Sequence, residues 1–430
     1  MSRSTPPTLR LACDSLVALG NATADGAVLF AKNSDRPERE CQPLIQARRQ
    51  THADGAKLRC TYIEVPQVAE TARLIGSKPY WGWGFEHGLN EHGVAIGNHT
   101  VFSKDPVPTT GLTGMDLVRL GLERSRSAEQ AVDAIAALIS AHGQGGSGYV
   151  DKDWPYHNSF LVADRRSAFV LETSDRRWAV RHIDDVGSVS NHLSIGSDWD
   201  ALSDGAIEHA IAAGWWGENR DERFDFAGAY RDTSVVPDVI SSGRHHRTCA
   251  ALERDKGTLS AAGLRRILRD HYGTPEPRRN CTPADPHYFS ICMHADPVGT
   301  TTASMIARIP PTPDEPLTYW ASFGSPCIGV FIPLYIDADI PNALSRGGEQ
   351  PSEDSPWWRF KHLLTLVERD WTRAPQVRAA FDAFEADVAG QIHAHRIDTQ
   401  PATERAAFMQ HTVNAALMRL GELIAELEAR

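Results

Sequence analysis

Two apolar runs of strand length, Leu16–Leu19 and Ala27–Ala31, stand on either side of Asp25-Gly26. A glycine there supplies the positive φ of a tight reversal, so the stretch predicts a β-hairpin over roughly residues 13–35. The pairing sets Cys13 at the head of the first strand and Lys32 and Asp35 at the end of the second. A thiol, an amine and a carboxylate then lie within reach of one another. If the bond before Cys13 were cut, the new α-amino group, with a pKa of about 7.7–8.0, would sit beside the thiol, and one residue would supply both nucleophile and base. The hairpin alone equally accommodates a small buried strand cysteine, the commoner use of a free thiol.

The remaining cysteines narrow the setting. Cys41, Cys60, Cys249, Cys281, Cys292 and Cys327 are scattered, and with Cys13 they make an odd total of seven. No C-x-x-C spacing occurs, which argues against a disulfide framework or a structural zinc site and for a reduced, cytoplasmic protein. The 18 histidines include His245-His246 and His393-Ala394-His395 but no H-E-x-x-H pattern, so no catalytic metal and no cofactor are expected. A net charge of −11 argues against nucleic acid as a main partner, since phosphate binding needs a basic face. Met1–Ala12 lacks the apolar core of a secretory signal, and no apolar run approaches a membrane span.

Along the chain, strand-like pieces such as Thr61–Val65 and Val94–Asn98 precede two helices, Met115–Arg124 and a second starting at Ser127, with Gln130 in capping-box register. Asp116 reads as a helix-start charge, and Gly143–Gly148 as a helix stop. Strands are expected at 159–163, 168–171, 178–181, 187–191, 287–293, 300–309 and 317–321, and helices at 201–213 and 260–271. Grouped strands and grouped helices suit an α+β layered fold. Past Pro341 the chain becomes helical, and Ala406, Val413, Leu417, Leu420, Ile424 and Leu427 form a heptad-like stripe that suits either packing on its own chain or a homo-oligomer seam.

Asn98 and Asn191 fall at or near the ends of apolar strands, where amides suit either a turn or an oxyanion hole. Several segments carry more information. Asn33-Ser34-Asp35-Arg36-Pro37, Trp83–Val94, Gly114–Arg124, Gly143–Gly146, Trp154–Phe160, Ser190–Gly196 and Thr301–Met305 closely resemble, in the same order, the secernin and bacterial dipeptidase family of cysteine N-terminal-nucleophile hydrolases. A more distant likeness runs to penicillin V acylases and bile-salt hydrolases.

The resemblance implies a four-layer αββα sandwich over 13–341, a propeptide at 1–12 removed autocatalytically, and a helical C-terminal extension at 342–430. It implies Cys13 as nucleophile, its freed amine as base, Asp35 as the carboxylate orienting that amine, and Asn98 and Asn191 as the oxyanion hole. Arg247 is expected as the arginine near the thiol, with Arg244 its rival. Lys32, where the acylase branch has arginine, keeps the positive charge and loses the bidentate fork. The implied activity is dipeptidase-type hydrolysis of small peptides. The alternatives are hydrolysis or acyl transfer on a non-peptide N-acyl amide, and a non-catalytic secernin-like binding protein.

Overall fold

The computed structural model describes residues 13–150, 152–217, 222–234, 238–277, 288–295 and 298–429. The expected propeptide, 1–12, and Cys281 lie outside the described residues.

Period-two alternation in the hairpin decides the architecture. Val17 and Phe30 point to one side of their sheet and Leu16, Leu29 and Ala31 to the other, so this sheet is buried on both faces. It runs Val186–Val189, Cys13–Ala18, Val28–Arg36, Gly299–Ile309, Thr318–Phe323, Ile332–Tyr335, with His294–Ala295 added beside Gly299–Ile309. A second sheet runs Ala201–Leu202, Arg177–Ile183, Ala168–Ser174, His157–Ala163, Ala95–Val101, His87–Asn90, Leu74–Ser77, Leu44–Ala47. The pairings within both sheets are antiparallel.

The inner faces meet through Val17, Phe30, Met305 and Tyr319 on one side and Leu89, Ala95, Leu161 and Val170 on the other. Outside the second sheet, Ile96, Phe160 and Leu171 bury against Leu117, Leu120 and Ile135 of the helices Gly114–Arg124 and Ala128–His142. Outside the first, Leu16, Ala31 and Ile306 bury against Leu252, Leu264 and Ile267 of Asp238–Arg254 and Ala261–Leu268. Each such fully buried side chain contributes about 1.5–3 kcal/mol of burial free energy. The result is the four-layer αββα sandwich.

The helix starts follow the sequence closely. Thr113 caps Gly114–Arg124 in a capping box with Asp116, Ser127 caps the next helix, and Gly143 ends it at φ 73°. Other boundaries moved. Residues 201–213 divide into a short strand and the helix Ala206–Ala212, and residues 288–293 form no strand, only the two-residue strand His294–Ala295. Short apolar runs do not by themselves separate strand from coil.

The helix Ala402–Glu428 packs on the edge strand Ile332–Tyr335 and Pro356–Arg369 on its neighbour Thr318–Phe323, while Ala374–Ala394 joins the same core through Val377 and Phe381. Trp357, Phe360, Leu363, Val413 and Leu420 join the same core as the inner sheet faces, and Trp357 Nε1 donates to the Thr302 carbonyl at 2.8 Å. The apolar stripe of the last helix is therefore packed on its own chain. Among the described residues no helix is long and apolar enough to cross a membrane.

Candidate active site

Register brings the polar residues together. Cys13 pairs with Ser34 and Ser15 with Lys32, which puts these four on the face that looks at the second sheet. Across the gap, Gly97 leaves room for the Lys32 side chain: a Cβ there would fall 2.6 Å from Lys32 Cδ. His99, on the same face, lies 2.7 Å from Ser15 Oγ through its Nε2.

Cys13 is buried, and its backbone nitrogen donates to Asn191 Oδ1 at 2.6 Å. Its sulfur accepts the Asp35 N–H at 3.5 Å. Asn191 Oδ1 takes a second hydrogen bond from Arg244 Nη2 at 2.9 Å, while Nδ2 donates to the Thr100 carbonyl at 2.8 Å. Two donors on one side and a carbonyl on the other fix which way this amide points. Arg244, fully buried, also donates to Asp14 Oδ2 at 2.7 Å. A bulge in the long strand, between Thr301 and Ala303, aims Thr301 Oγ1 at Asp35 Oδ1, 2.6 Å away. The other carboxylate oxygen, Oδ2, has no hydrogen-bond partner among the described residues.

The electrostatics are those of a dry site. Burial pushes the Cys13 thiol up to about 12, opposed by Lys32 and reinforced by Glu86 and Asp35. Burial, with the Asp14 charge added, raises Asp35 well above the usual carboxylate range against the pull of Thr301, Arg244 and Lys32. Burial pulls Lys32 down, but the facing Cys13 and Glu86 outweigh it and its pKa rises. Lys32 Nζ lies 3.1 Å from Glu86 Oε2, and Arg36 Nη1 lies 3.4 Å from Oε1. Lys32 is thus a fixed ammonium held by a fixed carboxylate. At rest the thiol keeps its proton, so its activation requires a base.

Of the six residues expected at the site, the structure gathers four: Cys13, Lys32, Asp35 and Asn191. Asn191 differs from expectation in posture, since its oxygen faces the Cys13 nitrogen and its amide nitrogen is occupied by Thr100. The Asn98 side chain is not at the site. Alternation puts it opposite Gly97 and His99, on the helix side of the second sheet, where Nδ2 donates to Asn158 Oδ1 at 3.3 Å beside Gly114. Arg247 is likewise displaced: it pairs with Asp270 and lines an outer groove of about 300 Å³ with Arg254 and Arg266. The rival Arg244 takes the place beside Cys13, donating to its carbonyl oxygen at 3.5 Å. Three residues advance a helix to within about 60° of a full turn, too little for sequence to separate two arginines at that spacing.

Sequence reasoning missed Glu86, Arg36, Ser15 and His99 as companions. One signal was present, since a lysine inside a two-faced buried strand calls for a carboxylate, and Glu86 lies in a segment already singled out.

Against this geometry the comparisons are direct. The model described as Peptidase family C69 matches residues 12–201. The matched segment carries Cys13, Lys32, Asp35, Glu86 and Asn191, whereas Arg244 and Thr301 lie beyond it. Over a longer span, the chain is 20% identical across 415 residues to a probable dipeptidase A of Streptococcus pyogenes serotype M18 (strain MGAS8232), covering 84% of this chain and 82% of that protein. A probable dipeptidase A of Streptococcus pyogenes serotype M3 (strain SSI-1) is 20% identical over 414 residues, covering 83% of each. Among solved structures, a mutant conjugated bile acid hydrolase from Clostridium perfringens aligns at 15% identity and TM-score 0.40, over 71% of this chain and 88% of that one. Penicillin V acylase from Agrobacterium tumefaciens aligns at 13% identity and TM-score 0.36, over 78% and 89%. The chain is a peptidase or amidohydrolase, and Cys13 is buried at this site.

Proposed function

We propose that the chain is a dipeptidase-type amide hydrolase whose nucleophile is Cys13, exposed as an N-terminal residue when 1–12 is removed. The observation that carries this reading is the grip on the two ends of Cys13. Its nitrogen is held by Asn191 Oδ1 at 2.6 Å while its sulfur accepts the Asp35 N–H at 3.5 Å. A nitrogen positioned so closely beside a high-pKa thiol is where a base is needed.

In the maturation step, Cys13 Sγ attacks the Ala12 carbonyl, the Ala12–Cys13 amide breaks as the acyl group moves to sulfur, and water hydrolyses the thioester. The leader leaves as an acid and the α-amine is freed. In turnover the amine takes the thiol proton, the thiolate attacks the scissile carbonyl, and the resulting ammonium returns its proton to the departing amine. Water, activated by the same amine, then releases the acid from the thioester. Asn191 and Asp35, the latter fixed by Thr301, steer the ammonium. Lys32 stabilises the thiolate, and Arg244 anchors Asn191. Residues 13–341 act as the catalytic unit and 342–430 as its helical buttress.

Intact masses of purified wild type and Cys13→Ala test the first half, and a panel of dipeptides set against N-acyl amides tests the second. The expected result is loss of 1–12 in wild type only, with turnover of dipeptides by that form. Retention of the leader in both proteins overturns the mechanism, and turnover confined to N-acyl amides overturns the substrate class.

A further inference from the structure

Away from Cys13, four buried side chains converge that the hydrolytic chemistry does not use. His271, Cys292, His294 and Cys327 each present a nitrogen or sulfur, and these atoms all lie within 4.8 Å of one another. His294 Nε2 is 3.3 Å from Cys327 Sγ and 3.5 Å from Cys292 Sγ. In a tetrahedral zinc site with metal–sulfur bonds of about 2.3 Å and metal–nitrogen bonds of about 2.0–2.1 Å, the edge between nitrogen and sulfur is about 3.6 Å. The observed separations are already close to that edge.

The outer contacts point the same way. A metal-binding histidine typically gives its second ring nitrogen to a carbonyl or carboxylate, which fixes the tautomer. His271 has Nδ1 3.4 Å from the Pro275 carbonyl and a buried Nε2 without a hydrogen bond. His294 turns Nε2 toward the sulfurs and leaves Nδ1 buried, without a hydrogen bond among the described residues and 4.0 Å from Glu368 Oε1. The His271 ring has the carbonyl partner expected of such a ligand, and the His294 ring has a carboxylate within one small shift. Charge also closes: two thiolates and two neutral imidazoles exactly offset a divalent ion, so the loaded site is neutral where burial would penalise net charge. Binding releases the two thiol protons to water.

We propose that His271, Cys292, His294 and Cys327 form a structural site for a tetrahedral divalent metal of the zinc type. The four ligands come from three segments: the turn that follows the helix Ala261–Leu268, the stretch 288–295, and the turn between Phe323 and Ile332. Their closure ties the outer helical layer, the sheet edge and, through Glu368, the C-terminal helices into one unit. The stretch between Cys292 and His294 also reaches the hydrolytic site. The Met293 N–H donates to Thr301 Oγ1 at 2.9 Å, and that hydroxyl donates to Asp35 Oδ1.

The test uses the full chain, stripped of metal under reducing, oxygen-free conditions and titrated with cobalt(II). The expected outcome is one equivalent bound, with thiolate-to-cobalt charge-transfer absorption and the intense visible bands of tetrahedral cobalt, both abolished by one equivalent of zinc. Cys13→Ala retains the spectrum, and Cys292→Ser/Cys327→Ser loses it. Because loss of the fold in the double variant would also abolish the spectrum, the melting midpoint of unmodified protein is read with and without one equivalent of zinc and is expected to rise. A weak octahedral cobalt spectrum, a spectrum retained by the double variant, a Cys292–Cys327 disulfide in oxygen-free preparations, or a melting midpoint indifferent to zinc each overturns the proposal.

Discussion

Arg244→Met should be among the most destabilising single changes at the site, and the structure sets its size. The guanidinium is fully buried and holds Asp14, itself 1% exposed, at 2.7 Å. Methionine replaces the apolar stem and removes the charge, leaving a buried carboxylate without its partner, a loss of about 3–5 kcal/mol. Against a total stability of roughly 5–15 kcal/mol, that moves a urea midpoint substantially without necessarily unfolding the chain. Arg247→Met is the matched control. Its pair with Asp270 is partly solvated, with 37% of the Arg247 side chain exposed, and is worth at most about 1 kcal/mol. Adding Asp14→Asn to Arg244→Met should recover part of the loss by discharging the orphaned carboxylate. Urea unfolding measures all four proteins, and intact mass scores leader removal in each. In the folded Arg244→Met protein, removal should slow, because Asn191 Oδ1 loses the anchor that holds it against the Cys13 nitrogen. If Arg247→Met costs more stability than Arg244→Met, or blocks leader removal while Arg244→Met does not, the placement of these arginines is wrong.

Three further outcomes follow from the packing. Burial lowers His157 to about 4; a histidine depressed below its unfolded value of about 6.5 adds stability that is lost as pH falls from 6.5 toward 4, so at pH 5 it costs about 2 kcal/mol. Urea curves of His157→Gln at pH 7 and pH 5 should show a correspondingly smaller acid loss than wild type, and equal losses would contradict this. Gly114→Ala puts a Cβ 1.9 Å from Asn158 Oδ1 and 2.6 Å from Asn98 Nδ2, an overpacking of about 1–3 kcal/mol or more that should lower the melting midpoint; an unchanged midpoint would show that this helix start has slack. Trp357→Ala removes a buried indole and its bond to the Thr302 carbonyl, costing about 3–5 kcal/mol, and the chain should still unfold in a single transition if the C-terminal helices share the sandwich core. Two separated transitions would show them to be an independent unit.

What the sequence made legible was local. The hairpin, the Asp116 charge at a helix start, the Ser127 cap and the Gly143 stop each depend on residues within a few positions, and each is found, although the pairing of Cys13 with Ser34 centres the hairpin before Asp25-Gly26, with a 3-10 turn at Gly20–Ala22 in its connection. Cys13, Lys32 and Asp35 came together because one hairpin carries all three. Illegible were the choices made across the sandwich. Nothing within five residues of Asn98 says which side of a two-faced buried strand it occupies, since both of its neighbours are as buried as it is. Arg244 and Arg247 are separated only by how their helix is rolled against Val186–Val189. The histidine and cysteine cluster is the extreme case. Its ligands are drawn from three segments, with only Cys292 and His294 close in sequence, so a search for short ligand spacing passes over it.

Those distant choices are also where the molecule couples its parts. Asp35 is held by Thr301, Thr301 is held by the Met293 N–H, and Met293 sits between two of the four clustered ligands. A carboxylate whose pKa is already raised by burial and by Asp14 is sensitive to the loss of a single donor, because that donor opposes the upward shift. Thr301→Val should therefore raise Asp35 further and make it a poorer partner for an ammonium at Cys13. The pH–rate profile of the mature enzyme should shift its acid limb to higher pH, with no change in metal content. Were metal content to fall with the limb unmoved, Thr301 would be a support of the cluster and not of Asp35. The two readouts separate because the hydroxyl donates to one site and accepts from the other.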